Sequence, residues 1–318
     1  MQFSLIINSI MYIILTLMTT YGIKYTQYHY NYDSYWIIIF YINVCFPVNL
    51  IMYIYKFSLV KLLKQTLLVK KLFVPSIIYS LETGLLFWCL TRIPLNFYVI
   101  GRTSSAYFNV YFSYYYLKNK VYLMYFIGLV ILTFAYILLA LNIDTVKHDA
   151  LTIIAMLIVL ASGFTTSLYS NMTEKHLKEC EENKLELQLA YQLFGNFYAF
   201  IIFVPMSISL GHRLFNDNVA PNVILLISGL AYQIFFLFRL FIIGSTHIAG
   251  NHVVSGLDLF RRVISNILAY ATLYEAYNNE IISSNICMFI GSLFLIASQF
   301  KKNIYNKLVS IELENIEI

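Results

Sequence analysis

Residues 91–120 read TRIPLNFYVIGRTSSAYFNVYFSYYYLKNK, and this stretch indicates what kind of fold the chain adopts. Residues 95–117 within it form one apolar run, long enough to cross a membrane as a helix. Arg102 lies inside this run, where a charged side chain costs about 3 kcal/mol on insertion scales. It must therefore face a partner or a water-filled cavity. Hydroxyl and aromatic side chains, Tyr98 among them, surround it, so we expect this helix to form the floor of a solute pathway.

The composition of the whole chain agrees with a membrane protein. Of 318 residues, 60% are hydrophobic and 12% are charged, and the mean hydropathy is +0.71. Soluble domains carry about 25% charged residues. The net charge of +5 is distributed over many connections, so no nucleic-acid-binding patch is predicted. The four cysteines are far apart and no Cys/His spacing suggests a metal, so we expect neither metal nor cofactor.

A membrane-spanning helix needs about 20 predominantly apolar residues. Ten such runs follow one another with short connections, which predicts an all-α polytopic membrane protein. The predicted spans are residues 3–23, 35–55, 72–91, 95–117, 122–142, 150–172, 188–210, 221–242, 245–273 and 281–300.

The charge distribution predicts the orientation of these spans. With both termini in the cytosol, fourteen Lys and Arg residues, Arg239 among them, fall in cytosolic connections or the tail, and four fall on the other side. This follows the positive-inside rule. Residues 1–172 then hold spans 1–6, residues 173–187 form a charged cytosolic loop, residues 188–300 hold spans 7–10, and residues 301–318 form a cytosolic tail.

Ten spans divide into two sets of five, and because five is odd the two sets have opposite orientations. Inverted repeats of this kind are common in secondary transporters, whose substrates bind near the midplane between the halves. The fourth span of each half carries buried arginine, namely Arg102 in span 4 and Arg261 with Arg262 in span 9. We therefore predict two inverted five-helix repeats with a site between them.

Spans 3 and 9 each contain an acid that can neutralise some of this charge. Asp258 lies three and four residues before the arginine pair, which places the carboxylate beside both guanidiniums on a helix. One arginine remains unmatched, and an unpaired guanidinium is a forked donor suited to phosphate. Glu82 in span 3 is a counter-ion for Arg102 or Arg92, a proton-coupling group, or a residue near the end of a span.

Residues 96–120 resemble the fourth helix of nucleotide-sugar transporters in the drug/metabolite transporter superfamily, and the GDP-fucose group fits best. The similarity rests on Phe97, Tyr98, Gly101, Arg102, Phe108, Asn109, Val110, Ser113, Tyr114, Leu117 and Lys118. The segment Phe194-Gly195-Asn196 is similar to that family's FYNN segment, and Ser255-Gly256 followed by Arg261 is similar to its nucleotide-contacting TGTxK motif. The Arg261-Arg262 pair also resembles the phosphate-binding Lys-Arg pair of triose-phosphate translocators.

The resemblance implies an antiporter of the Golgi or endoplasmic reticulum that exchanges a cytosolic nucleotide sugar, GDP-fucose as the first choice, for lumenal nucleoside monophosphate. Arg261 and Arg262 would hold the phosphates, and Arg102 would add charge from the facing half. Tyr98 and Asn196 would face the sugar or base, and Gly256 would expose backbone groups to the ligand. No bond is broken, so no catalytic residue is expected. A monomer and a homodimer both remain open. The alternatives are a translocator of triose or pentose phosphates with the same fold, and a membrane scaffold or lipid-processing enzyme.

Overall fold

The computed structural model describes residues 2–30, 34–64, 66–118, 123–141, 150–179, 184–209, 219–245, 250–273 and 279–314. Within these ranges the secondary structure is helical. The helices are α1 (Gln2–Tyr30), α2 (Ser34–Lys56), α3 (Leu59–Lys64), α4 (Thr66–Arg92), α5 (Leu95–Gly101), α6 (Ser105–Leu117), α7 (Leu123–Ala140), α8 (Ala150–Glu179), α9 (Lys184–Ser209), α10 (Val219–Ser245), α11 (Gly250–Leu273) and α12 (Asn279–Glu314).

Six helical segments among the described residues are long and apolar enough to cross a membrane. They are Ile6–Tyr30, Lys70–Leu90, Ala150–Glu179, Leu185–Pro205, Val219–Ile243 and Asn279–Ser298, and a shorter apolar helix covers Leu123–Leu138. The chain is therefore an all-α protein with the character of a multi-pass membrane protein. Ten crossings stay a prediction. The region of predicted span 4 is divided into two short helices, and α11 carries three charged residues near its middle.

The predicted charged loop 173–187 is largely helical where the structure describes it. Residues 173–179 extend α8, and residues 184–187 begin α9. In the predicted tail, α12 continues to Glu314. Predicted span 9, residues 245–273, corresponds to α11, which begins at Gly250. Ser245 is the last residue of α10, and residues 246–249 lie outside the described ranges.

The region of predicted span 4 changes its helical geometry at Arg102. Residues Arg102–Ser104 form a 3₁₀ turn between α5 and α6. The hydroxyl of Thr103 donates to the carbonyl of Ile100 at 2.7 Å, and that of Ser105 donates to the carbonyl of Arg102 at 3.0 Å. Side chains that bond to the backbone three residues earlier tighten and bend a helix. The sequence GRTSS therefore produces a local turn that aims Arg102 into the interior.

Most of the main packing pairs join helices that are not consecutive in the sequence. Helix α1 packs on α10, α4 on α8 and α9, α6 on α8, α2 on α9 and α10, α7 on α12, and α11 on α1 and α12. Small residues permit the closest contacts. A Cβ atom built on Gly128 of α7 would lie 3.1 Å from the carbonyl oxygen of Gly291 of α12, so these two backbones nearly touch.

Candidate functional site

A cavity lies in the helix assembly and opens between six of its elements. Helices α1, α4, α5, α8, α10 and α11 each contribute to its wall. The volume of the cavity is about 120 Å³. Its lining residues are Tyr12, Thr16, Thr19, Thr20, Tyr79, Glu82, Thr83, Leu86, Leu90, Tyr98, Val99, Arg102, Thr166, Tyr169, Tyr232, Phe235, Arg239, Asp258, Arg261 and Arg262.

Arg102 is held on one side of this cavity by an acid and a hydroxyl group. Its guanidinium lies 3.4 Å from a carboxylate oxygen of Glu82 on α4 and donates to the hydroxyl of Thr166 on α8 at 3.2 Å. The same hydroxyl donates a short hydrogen bond to Glu82. Glu82 is therefore a counter-ion of Arg102, one of the roles expected for it. Arg92 lies instead over the ring of Trp88, with 5.9 Å between the guanidinium carbon and the ring centroid.

Asp258 faces the arginine pair of its own helix, as the spacing predicts. One carboxylate oxygen is 3.3 Å from the guanidinium of Arg261, and the other is 4.0 Å from that of Arg262. The hydroxyl of Tyr12 on α1 donates to Asp258 at 2.7 Å, and Arg261 donates to Thr20 at 3.3 Å. Asp258 thus joins α11 to α1 as well as neutralising part of the charge.

Arg262 is the least satisfied charged group of the cavity wall. Its side chain is 2% exposed, and all three guanidinium nitrogens lack a hydrogen-bond partner among the described residues. A buried donor without a partner costs about 1–3 kcal/mol. Arg262 is among the residues that line the cavity, and its guanidinium nitrogens are themselves buried in the wall.

A fourth arginine of the wall corrects the sequence-based count of cytosolic charge. Arg239 belongs to α10 and lines the cavity, where its guanidinium donates a short hydrogen bond to Ser170 of α8. It lies within predicted span 221–242, in the apolar run QIFFLFRLFIIG at residues 233–244. This apolar context indicates a position inside the membrane. Four arginines against two carboxylates leave two positive charges in the described wall.

The structure brings together four of the six residues predicted for the site. Tyr98, Arg102, Arg261 and Arg262 line the cavity, on α5, at the 3₁₀ turn and on α11. All three predicted arginines therefore converge from two different segments of the chain.

The other two predicted residues lie outside this wall. The amide of Asn196 on α9 donates to the side-chain oxygen of Gln233 on α10 at 3.3 Å, so it joins two helices. Gly256 faces α12, where a Cβ atom would lie 2.3 Å from a side-chain carbon of Ile296. Its lack of a side chain serves helix packing.

A second, smaller polar cavity adjoins the first. Thr166, Arg239 and Asp258 line both, and Ser105, Ser167 and Ser170 are among the other residues of its wall. Across it, the amide of Asn109 donates to Ser255 at 2.7 Å. Asn171 also donates to Asn109, at 2.6 Å. These contacts tie α6, α8 and α11 together at one end of the main cavity.

No group of three His, Cys, Asp or Glu side chains in the described ranges is placed to hold a metal ion.

Comparison with known proteins assigns the chain to no family. No family model matches it, and no curated protein matches it significantly.

Proposed function

We propose that the protein is a nucleotide-sugar antiporter that exchanges a cytosolic nucleotide sugar, GDP-fucose as the first candidate, for lumenal nucleoside monophosphate. The observation that carries this proposal is the buried guanidinium of Arg262, a residue of the cavity wall, which has no hydrogen-bond partner among the described residues. Arginine forks bind phosphate oxygens through paired, charge-assisted hydrogen bonds. A pyrophosphate or a phosphate monoester supplies these acceptors and also neutralises the surplus positive charge of the wall.

The packing of the helices supports two inverted repeats. If α1, α2, α4, α5–α6 and α7 form one half, their counterparts in the other are α8, α9, α10, α11 and α12. Exchanging the halves then turns the α1–α10 contact into the α8–α4 contact, and both contacts are present. It also turns the α6–α8 contact into the α11–α1 contact, and these two are present as well. The α2–α9 and α7–α12 contacts convert into themselves.

The position of the cavity fits alternating access in such a fold. Its wall comes from the first, third and fourth helical positions of each half. Rocking the halves about this region would open it to one side of the membrane and then to the other. With Arg239 assigned to α10, the cytosolic side still holds thirteen basic residues against four, so both termini remain cytosolic in this proposal.

Exchange by purified protein in liposomes tests the proposal. We expect uptake of labelled GDP-fucose into vesicles preloaded with GMP, and the same experiment with UMP and UDP-sugars identifies the base. Arg261→Ala and Arg262→Ala should abolish exchange while the protein remains folded. Arg92→Ala is the matched control, because Arg92 is exposed at the end of α4 and does not line the cavity.

A translocator of phosphorylated metabolites is the second candidate. The four arginines of the wall, Arg102, Arg239, Arg261 and Arg262, form an arginine cluster that would bind any phosphate ester. Stimulation of uptake by internal inorganic phosphate or triose phosphate, and not by nucleoside monophosphates, would favour it. Wild-type rates in both arginine variants would refute phosphate recognition by this cluster altogether.

A further inference from the structure

A continuous row of five aromatic rings forms one part of the cavity wall. Tyr169 of α8 contacts Tyr79 of α4 with 5.4 Å between ring centroids, and Tyr79 lies nearly parallel to Tyr232 of α10, at 6.5 Å and 27°. Tyr232 contacts Phe235 at 4.9 Å, and Phe235 contacts Tyr12 of α1 at 5.6 Å. All five side chains line the cavity. We call this row the aromatic wall.

Three of the four tyrosine hydroxyl groups of the aromatic wall are hydrogen-bonded within the protein. The hydroxyls of Tyr79 and Tyr232 are 2.5 Å apart, and that of Tyr232 is 3.5 Å from the hydroxyl of Thr83. The hydroxyl of Tyr12 is bonded to Asp258. A ligand that reaches this wall therefore meets aromatic rings, which favour flat, polarisable groups over anionic ones.

The aromatic wall adjoins the arginine cluster. Tyr12 belongs to the row and also donates to Asp258, whose carboxylate is paired with Arg261 and Arg262. A molecule with phosphates at one end and a flat ring at the other could contact both parts at once. Asn196, which the family resemblance would assign to the base or sugar, is bonded to Gln233 outside the cavity and is not placed for this task.

We infer that the aromatic wall, centred on Tyr79 and Tyr232, is the subsite that binds the nucleobase of the cargo by stacking. The inference rests on the proposed nucleotide cargo and specifies which side chains recognise its uncharged part. Stacking tolerates any base, since every base has a π-face. The wall therefore selects nucleotides against base-free phosphates, and it does not by itself distinguish guanine from uracil.

Competition by ligands with and without a base tests the subsite. GMP, ribose 5-phosphate and inorganic pyrophosphate are titrated against GDP-fucose exchange in wild-type and Tyr232→Leu protein. We expect Tyr232→Leu to weaken inhibition by GMP by about 5-fold to 150-fold, the range that loss of base stacking on an aromatic ring produces. Inhibition by pyrophosphate and ribose 5-phosphate should be unchanged. Tyr232→Phe keeps the ring and should retain the wild-type affinity for GMP.

The other possible results of this competition experiment would overturn the base subsite or the proposed cargo. Equal weakening for all three ligands assigns Tyr232 a structural role and overturns the subsite, as does unchanged inhibition by GMP. Equal weakening for GMP and ribose 5-phosphate, with pyrophosphate unaffected, places the sugar on the ring and also overturns it. Wild-type protein that binds pyrophosphate but no nucleotide refutes the proposed cargo itself.

Photolabelling of the wild-type protein avoids any dependence on how the variants fold. Irradiation with 8-azido-GMP should label peptides of α4 and α10 that contain Tyr79 or Tyr232, and excess GMP should prevent the labelling. Protected labelling confined to α9, near Asn196, would overturn the assignment.

Discussion

Replacement of Arg262 by methionine should stabilise the cargo-free protein and abolish its transport activity. Arg262 is 2% exposed, and its three guanidinium nitrogens have no hydrogen-bond partner in the described part of the chain. Methionine reaches as far as the Nε position of arginine and has no polar atom to desolvate. The charge of Asp258 stays compensated in the variant, because Arg261 and Tyr12 both contact it.

The size of the effect follows from two opposing contributions. Three buried donors without partners cost about 1–3 kcal/mol each. The attraction of Asp258, 4.0 Å from Arg262, returns about 4 kcal/mol at an effective dielectric constant of 20, and repulsion from Arg261 reduces that gain. The net stabilisation expected is about 1–4 kcal/mol, the range seen when buried ionic groups are replaced by apolar ones. At about 2–4 °C per kcal/mol, this raises Tm by several degrees.

Thermal unfolding of purified protein in detergent, with and without GMP, measures both parts of this prediction. Wild-type Tm should rise with GMP, because a ligand that binds only the folded state stabilises it. The Tm of Arg262→Met should start higher and not respond. Arg261→Met is the control, since Arg261 is hydrogen-bonded to Thr20 and closely paired with Asp258, and its loss should not raise Tm. A Tm below wild type for Arg262→Met, or a preserved response to GMP, would refute the reasoning.

Three further predictions concern groups around the cavity. Glu82→Gln removes the acid partner of Arg102, so the Tm of cargo-free protein should fall and the affinity for pyrophosphate should rise. The affinity is measured from the rise in Tm with pyrophosphate concentration, and an unchanged affinity would contradict the role of Glu82 as counter-ion. Gly163→Ala places a Cβ atom 2.5 Å from the backbone nitrogen of Ser105, so unfolding should show a loss of about 1–3 kcal/mol. A gain in stability, the usual result of Gly→Ala within a helix, would show that this contact is not close. Asn171 begins an N-glycosylation sequence but is fully buried in α8, so glycosidase treatment of protein from eukaryotic cells should not change its electrophoretic mobility, and a shift that Asn171→Gln abolishes would contradict its burial.

Local features of the sequence were sufficient for predictions that depend on one helix. The run around Arg102 predicted a charged group turned inwards, and Arg102 lines the cavity. The spacing of Asp258 and the arginine pair predicted their contact, because residues three and four apart on a helix are neighbours wherever the helix lies. These are statements about chain geometry within a few turns.

Other assignments depended on which helices meet, and the sequence left them open or misplaced them. Glu82 had several candidate roles until the packing of α4 against α8 placed it beside Arg102. The charge count places Arg239 on the cytosolic side although it lies within predicted span 221–242, and the structure places it in the cavity wall. The aromatic wall had no distinguishable signal, since its four tyrosines are among 28 in the chain.

The sequence by itself determined that the chain is helical and apolar enough for a membrane, and that several of its buried charges must face something other than lipid. Only the tertiary structure decided that four arginines from three segments surround one cavity, and that Asn196 and Gly256 lie outside it. The physical reason is the range of the interactions. Hydrophobicity and helical periodicity act between residues a few positions apart, whereas a binding site between helices is set by packing between segments that are tens to hundreds of residues apart in the sequence.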